Sequence, residues 1–306
     1  MVDLPLLNAL LPIFAVILAG ALFNRFHFPG SAFWPAAEKL TYFVLFPSLL
    51  FYSTATASLG NLAITPLFAA LSFAVLLMVG LLFLLRKWFT TDDRGFSSVF
   101  QGSIRFNTYV GFALVYALYG TEGVTWAAVT IAILIPLVNL LSVSVIVHAT
   151  RRGANAATFL LTILRTPPFI ACLAGISVNG LGIVLPTPAL ELLQLFGRAS
   201  LPLGLLAVGA SLRTASFSKN SVTTGVTCFM KLFCLPLLAW MSCGLFQIDS
   251  LAAQVAVLFA ALPGSASSYI LARQLGGDSD LMANIVTAQI AVSLFSLPVV
   301  LSLISA

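Results

Sequence analysis

The sequence predicts an all-α integral membrane protein with ten transmembrane helices, arranged as two inverted five-helix repeats. Three observations predict it. The 306-residue chain is 60% hydrophobic and only 8% charged. A soluble domain carries about 25% charged residues, and a fold this long could not cover its surface with so few. Apolar runs of about 20 residues, the length that crosses a bilayer, recur along the chain between charged residues, Gly and Pro. Lys and Arg fall in alternate loops between those runs, a mark of membrane topology.

The runs place spans near 4–24, 35–55, 65–86, 96–118, 122–148, 155–179, 188–212, 221–245, 250–273 and 280–304. Span one carries PIFAVILAG from Pro12. Asp3 precedes Arg25 with no Lys or Arg between Met1 and Ala21, so this run reads as a retained span and not a cleaved leader. Span two opens on PAAEKL at Pro35, and span three ends at Arg86-Lys87. Span four carries QGSIRFNTYVGFALVYALYG from Gln101 to Gly120. Span five contains Pro136 and Asn139 and ends near His148 and Arg151. Span six holds PFIACLAG from Pro168, and span seven opens on PALELL at Pro188. Span eight holds Lys231, span nine carries ALPGSASSYILARQLGG from Ala261 to Gly277, and span ten closes the chain.

Charge tests the count. The loops after the odd-numbered spans hold nine cations: Arg25, Arg86, Lys87, Arg94, Arg151, Arg152, Arg213, Lys219 and Arg273. The loops after the even-numbered spans and both termini hold none, and carry Asp3, Glu122 and Asp249 instead. One missed helix would scramble that alternation. Basic loops stay in the cytoplasm, so both termini are expected outside a plasma membrane, the inner membrane if the cell is bacterial. The net charge of +5 comes from these loops and does not point to nucleic acid. The four cysteines lie inside apolar runs without C-x-x-C spacing, so neither a disulfide nor a metal site is expected.

The halves, 1–149 and 155–306, look alike. Pro12 pairs with Pro168, Pro35 with Pro188 and Gly120 with Gly276, at offsets of 156, 153 and 156 residues. Glu38 and Glu191 each follow their Pro by three residues. Five spans per half is an odd number, so two copies insert in opposite orientations. Inverted repeats are a recurring plan of secondary transporters, which bind substrate near the midplane between discontinuous helices.

Polar, helix-breaking stretches stand at matching places in spans four and nine. Asn107 and Pro263 each lie thirteen residues before the closing Gly120 and Gly276. Pro263-Gly264 breaks a helix, and Asn107-Thr108 can bond to the freed backbone. Half-helix N-termini facing a cavity favour an anion. Arg105 lies deep in span four, where a charge costs at least ~2.5–3.5 kcal/mol. Its guanidinium suits a carboxylate geometrically; the alternatives are bonds to carbonyls at the break, or snorkelling toward the cytoplasmic face. Lys39, beside Glu38, reads as interfacial. Arg165 stands before Thr166-Pro167-Pro168, where it could meet carbonyls the prolines leave free. Arg198 and Lys231 are deeper, and either lines the pathway or packs on polar backbone. Asn139 and Gln289 are amides in apolar runs, serving as substrate contacts or as glue between helices. His148 reads as an interfacial histidine. No nucleophile triad, phosphate-binding glycine loop or metal cluster appears, so neither enzymatic activity nor a cofactor is expected.

Four segments together resemble the auxin efflux carrier family, including bacterial members described as malate or malonate permeases. They are FGRASLPLGLLAVGASL (Phe196–Leu212), AALPGSASSYILARQLGGDSDL (Ala260–Leu281), TPPFIACLAGI (Thr166–Ile176), and NTYVG (Asn107–Gly111) with Tyr119-Gly120. The resemblance covers essentially the whole chain. It implies a ten-helix fold shared with bile-acid-transporter-like carriers, with broken helices four and nine crossing each other. It further implies a scaffold of helices one, two, six and seven, a transport unit of helices three to five and eight to ten, and a homodimer through the scaffold. The family's Asn of helix four corresponds to Asn107 and its Pro of helix nine to Pro263. Plant members have a Pro before that Asn, where this chain has Phe106.

The expectation is therefore a carrier of small organic anions, such as malate, malonate or an auxin-like acid, working by elevator-type alternating access. Asn107, Thr108 and Arg105, with Tyr109 beside them, would hold a carboxylate. Ser265, Ser267 and Ser268, with backbone at Pro263 and Gly264, would supply opposing donors, and Asn139 would line one wall. The rivals are a sodium-coupled symporter of the bile-acid type and a non-transporting receptor built on a carrier fold.

Overall fold

The computed structural model describes residues 4–30, 32–57, 64–89, 91–150, 166–212 and 221–304. Arg151, Arg152, Arg165, Arg213, Lys219 and the start of the expected sixth span lie outside the described residues. Among those described, all regular structure is helical.

The first helix, α1, spans Leu4–Arg25. Helix α2 (Phe33–Leu40) and helix α3 (Phe46–Ala55) form one rod through a π turn, Thr41–Leu45. Pro47 has no N–H for the carbonyl four residues back. The turn before it widens, and the Phe46 N–H reaches Thr41 O. Helix α4 is Ile64–Leu84, followed by a 3-10 turn at Arg86–Trp88. Helix α5 (Asp93–Ile104) is capped by the Asp92 carboxylate, which accepts from the Gly95 N–H at 2.8 Å. Helix α6 runs Thr108–Thr150, with Gly120 at φ 60° and ψ −150° inside it. That conformation belongs to glycine, because a side chain would collide with the backbone.

The second half begins with α7 (Pro167–Gly180) and α8 (Thr187–Ala210). Helices α9 (Ser221–Phe229) and α10 (Leu235–Leu245) join through a second π turn, Met230–Cys234, again just ahead of a proline, Pro236. Helices α11 (Ser250–Ala261) and α12 (Ala266–Leu275) are bent by 52° at their junction, and α13 (Ser279–Ile304) ends the described chain. Among the described residues, six stretches of helix are long and apolar enough to cross a membrane, and the bent α11–α12 pair makes a seventh if it counts as one span. The outer surface is itself apolar, with Leu18, Phe68, Leu84, Trp240 and Phe295 exposed. This is the surface a bilayer covers, and the protein is a multi-pass membrane protein.

Small residues set the closest helix contacts. Gly20 of α1 lies against the backbone of Leu206 in α8, and Gly209 of α8 lies against the backbone of Ile17 in α1. Gly175 of α7 meets Phe51 and Thr54 of α3, and Gly197 of α8 meets Leu49. A missing Cβ at each lets two backbones approach, as membrane helix pairs require in the absence of a hydrophobic drive. Helices α1, α2, α3, α7 and α8 thus pack chiefly on one another. Helices α4, α5, α6, α10, α11 and α13 pack around a second centre that includes the fully buried Phe100, Phe112 and Phe259.

Candidate functional site

Two helix breaks meet in the interior. The first follows α5, where Arg105 turns to extended backbone at φ −79° and ψ 153°, and Arg105–Asn107 stay non-helical. The second follows α11, where Leu262 takes φ −63° and ψ 147°, and the chain resumes helix at Ala266. The Asn107 N–H donates to Pro263 O at 2.8 Å, tying one break to the other. The Asn107 Oδ1 accepts from the N–H groups of Tyr109 and Val110 at 3.2 and 3.3 Å, capping the start of α6. The Ser265 Oγ accepts from the Ser267 N–H at 3.3 Å and caps α12. Each break is therefore followed by a helix whose N-terminal end points inward, where a partial positive charge gathers.

Gln289 of α13 joins the breaks from the other side. Its Oε1 accepts from the Gly264 N–H at 2.8 Å, and its Nε2 donates to Gly102 O at 2.8 Å. Of the two readings open for this amide, the structure shows glue.

Arg105 emerges from the first break with little exposure, 9%. Its Nε donates to Ser268 Oγ at 2.9 Å, its Nη2 to Ser267 Oγ at 3.1 Å, and its Nη1 to Asn139 Oδ1. All three acceptors are neutral. The only ion pair among the described residues is Arg86 with Asp93, at 3.0 Å, so no carboxylate is paired with Arg105. Its guanidinium faces a cavity of about 790 Å³ that Thr108, Asn139, Ser265 and Ser267 also line. Glu38, Lys39 and Tyr42 from the α2–π rod close one side, and Phe43, Phe46 and Phe106 add an aromatic wall.

Of the ten residues expected at the site, five line this cavity: Arg105, Thr108, Asn139, Ser265 and Ser267. Ser268 is fully buried and holds Arg105 from behind. Asn107, Pro263 and Gly264 build the breaks through backbone bonds and do not line the cavity. Tyr109 packs edge-on against Phe46, with ring centres 5.0 Å apart, and faces Gly204. Lys39, read from sequence as interfacial, and its neighbour Glu38 contribute to the cavity as well. Tyr42 and Phe106 were not among the expected site residues; Tyr42 lies in the π turn and Phe106 in the non-helical first break, and packing brings both to the cavity. Arg198 is exposed and does not line this cavity, while Lys231 is buried elsewhere. A smaller cavity of about 350 Å³, beside Cys228, Phe229, Phe233 and Val292, has no charged group.

A family model described as membrane transport protein matches residues 5–301, nearly the whole chain. No curated protein matches it significantly.

Proposed function

The chain belongs to the membrane transport protein family, that of the auxin efflux carriers, and from that premise we propose that it is a secondary carrier of small organic anions. It is a membrane transporter and not an enzyme. The observation that carries the anion reading is Arg105. A guanidinium has five N–H donors, and three of its nitrogens each hold a neutral acceptor. One N–H on each terminal nitrogen is left to make a fork toward the cavity, and a carboxylate fits such a fork with two parallel bonds. The ligand would supply the ion-pair partner that Arg105 lacks. Thr108 and Ser267, in the first turns of α6 and α12, add hydroxyls and two positive helix ends to the same wall. The aromatic wall accepts an apolar body beside the carboxylate.

Ten spans follow from the same reading. A straight α6 would be about 65 Å long at 1.5 Å per residue, roughly twice a hydrocarbon core. Gly120 then marks the reversal between spans four and five, and the two π-linked rods and the two broken helices each count as one span. The halves correspond as inverted repeats, with the breaks at Asn107 and Pro263 as equivalent points. The glycine-packed group of α1, α2, α3, α7 and α8 serves as the scaffold, through which a homodimer would form. The group around Phe259 carries the breaks and moves against that scaffold as an elevator. Lys39 and Gln274 line the cavity near the basic-loop ends of spans two and nine, and we read this form as open to the cytoplasm.

Purified protein in liposomes, loaded and challenged with labelled malate, malonate and indole-acetate, tests the proposal. Saturable uptake with counterflow is expected for at least one carboxylate. Absence of saturable uptake for all three, in protein that remains folded, would sink the anion reading.

A further inference from the structure

Among the described residues, Lys231 is the one buried cation that the substrate site leaves unexplained. It lies in the widened turn Met230–Cys234, its side chain is wholly buried (0% exposed), and it lines neither cavity. Its Nζ donates to Ala260 O at 2.7 Å. Ala260 is the penultimate residue of α11, the helix that stops at the second break. The last four carbonyls of such a helix have no partner within it, and the negative end of its dipole gathers there. Among the described residues no carboxylate pairs with Lys231. An ammonium buried without an anion is costly, and here only the helix end answers it.

The other break shows a contrast. The carbonyl of Gly102, near the C-terminal end of α5, receives a neutral amide, Gln289 Nε2. Of the two helix ends, one is met by a side-chain amide and the other by a lysine Nζ. In ion-coupled carriers, unwound carbonyls and the C-terminal ends of broken helices are where a sodium ion is held.

We propose that the Lys231 ammonium is a tethered cation, seated on the C-terminal end of α11 where a coupling sodium ion would sit, and that it makes this carrier independent of sodium. The proposal rests on reading the chain as a carrier with broken helices, but it concerns the cation site and not the carboxylate site. The ammonium does what a bound sodium ion would do, neutralising the break and holding α11 against the π turn. Being covalently attached, it cannot leave with each transport cycle.

The test needs no substrate. Wild type and Lys231→Ala are purified in sodium chloride and in choline chloride at equal ionic strength, and their unfolding temperatures and binding of radioactive sodium are measured. Wild type should melt alike in both salts and bind no sodium above background. K231A should melt lower in choline and gain about 5 °C or more in sodium, as a ligand that binds only the folded state requires. Sodium-specific stabilisation of wild type would overturn the proposal, and so would a K231A protein that responds alike to both salts. Should K231A not fold in either salt, Lys231→Met, which fills the space without the charge, is read by the same criteria. Failure of the carboxylate reading would appear as absent uptake and would leave these melting curves unchanged.

Discussion

The backbone N–H of Asn107 donates to the carbonyl oxygen of Pro263 at 2.8 Å. These residues lie 156 positions apart, the offset that relates Pro12 to Pro168 and Gly120 to Gly276. Two points separated by that offset thus touch in space, and the contact joins the segments where both helices give up their internal bonds. A freed N–H of one break satisfies a freed carbonyl of the other, which is how non-helical backbone persists away from water.

Gln289 completes that exchange, so it should behave as a brace. Q289L would leave the Gly264 N–H and the Gly102 carbonyl without partners in a buried site. Each orphaned group costs about 1–3 kcal/mol. The expected result is an unfolding temperature lower by about 5 °C or more, measured by thermal shift in detergent. Unchanged melting would mean that water takes over both bonds.

Arg105 should tolerate neither loss nor conservative replacement. R105A removes the charge and the fork, and uptake should fall to background. R105K keeps the charge but offers a compact ammonium in place of a planar fork, and it abandons bonds to Ser267, Ser268 and Asn139. KM should rise about tenfold or more, corresponding to about 1.4 kcal/mol or more of lost carboxylate binding. Wild-type KM in R105K would remove Arg105 from the substrate site.

The glycine contacts of the proposed scaffold make a third expectation. A Cβ added at Gly209 would run into the backbone of Ile17, which has no flexible end to yield. G209V should therefore push α1 from α8 and destabilise by about 1–3 kcal/mol, with a lower unfolding temperature. Gly80 has open space around its missing Cβ, so G80A serves as the control and should melt as wild type does.

How much of this was legible in the sequence depended on whether the signal was local. Pro263-Gly264 announces its break by chemistry, since one residue lacks an N–H and the other lacks a Cβ. The break at Arg105–Asn107 has no proline, and only the mid-span polar residues and the repeat offset pointed there. The site residues on those breaks, Arg105, Thr108, Ser265 and Ser267, were reachable for that reason. Tyr42 and Phe106 were not: Tyr42 lies in an apolar run with no helix breaker beside it, and Phe106, though flanked by Arg105 and Asn107, is itself an apolar side chain. What distinguishes them is the packing of the π turn and the first break around a common space, and the pattern along one segment carries no record of it. Gln289 was visible as an amide in an apolar run, but its role depended on two backbone groups that two distant breaks set free.

Asn139 offers the sharpest test of the site, because a single atom changes its meaning. Its Oδ1 accepts from Arg105 Nη1 across the cavity wall. N139A removes that acceptor and frees one more guanidinium N–H for substrate; transport should persist with an altered KM. N139D leaves the geometry nearly unchanged but places a carboxylate on the guanidinium. If Arg105 binds the substrate's carboxylate, the new Asp competes for the same charge from a tethered position, and its effective concentration far exceeds that of any free ligand. Uptake by N139D should then fall well below that of N139A, although N139D makes the stronger bond to Arg105 and should melt at the same temperature or higher. The two readouts thus move in opposite directions only if Arg105 serves the ligand. If Arg105 merely braces the break, a stronger bond from Asn139→Asp would preserve transport as well as stability, and N139A would be the more damaging of the two. Side-by-side uptake and thermal-shift measurements on both variants separate these outcomes.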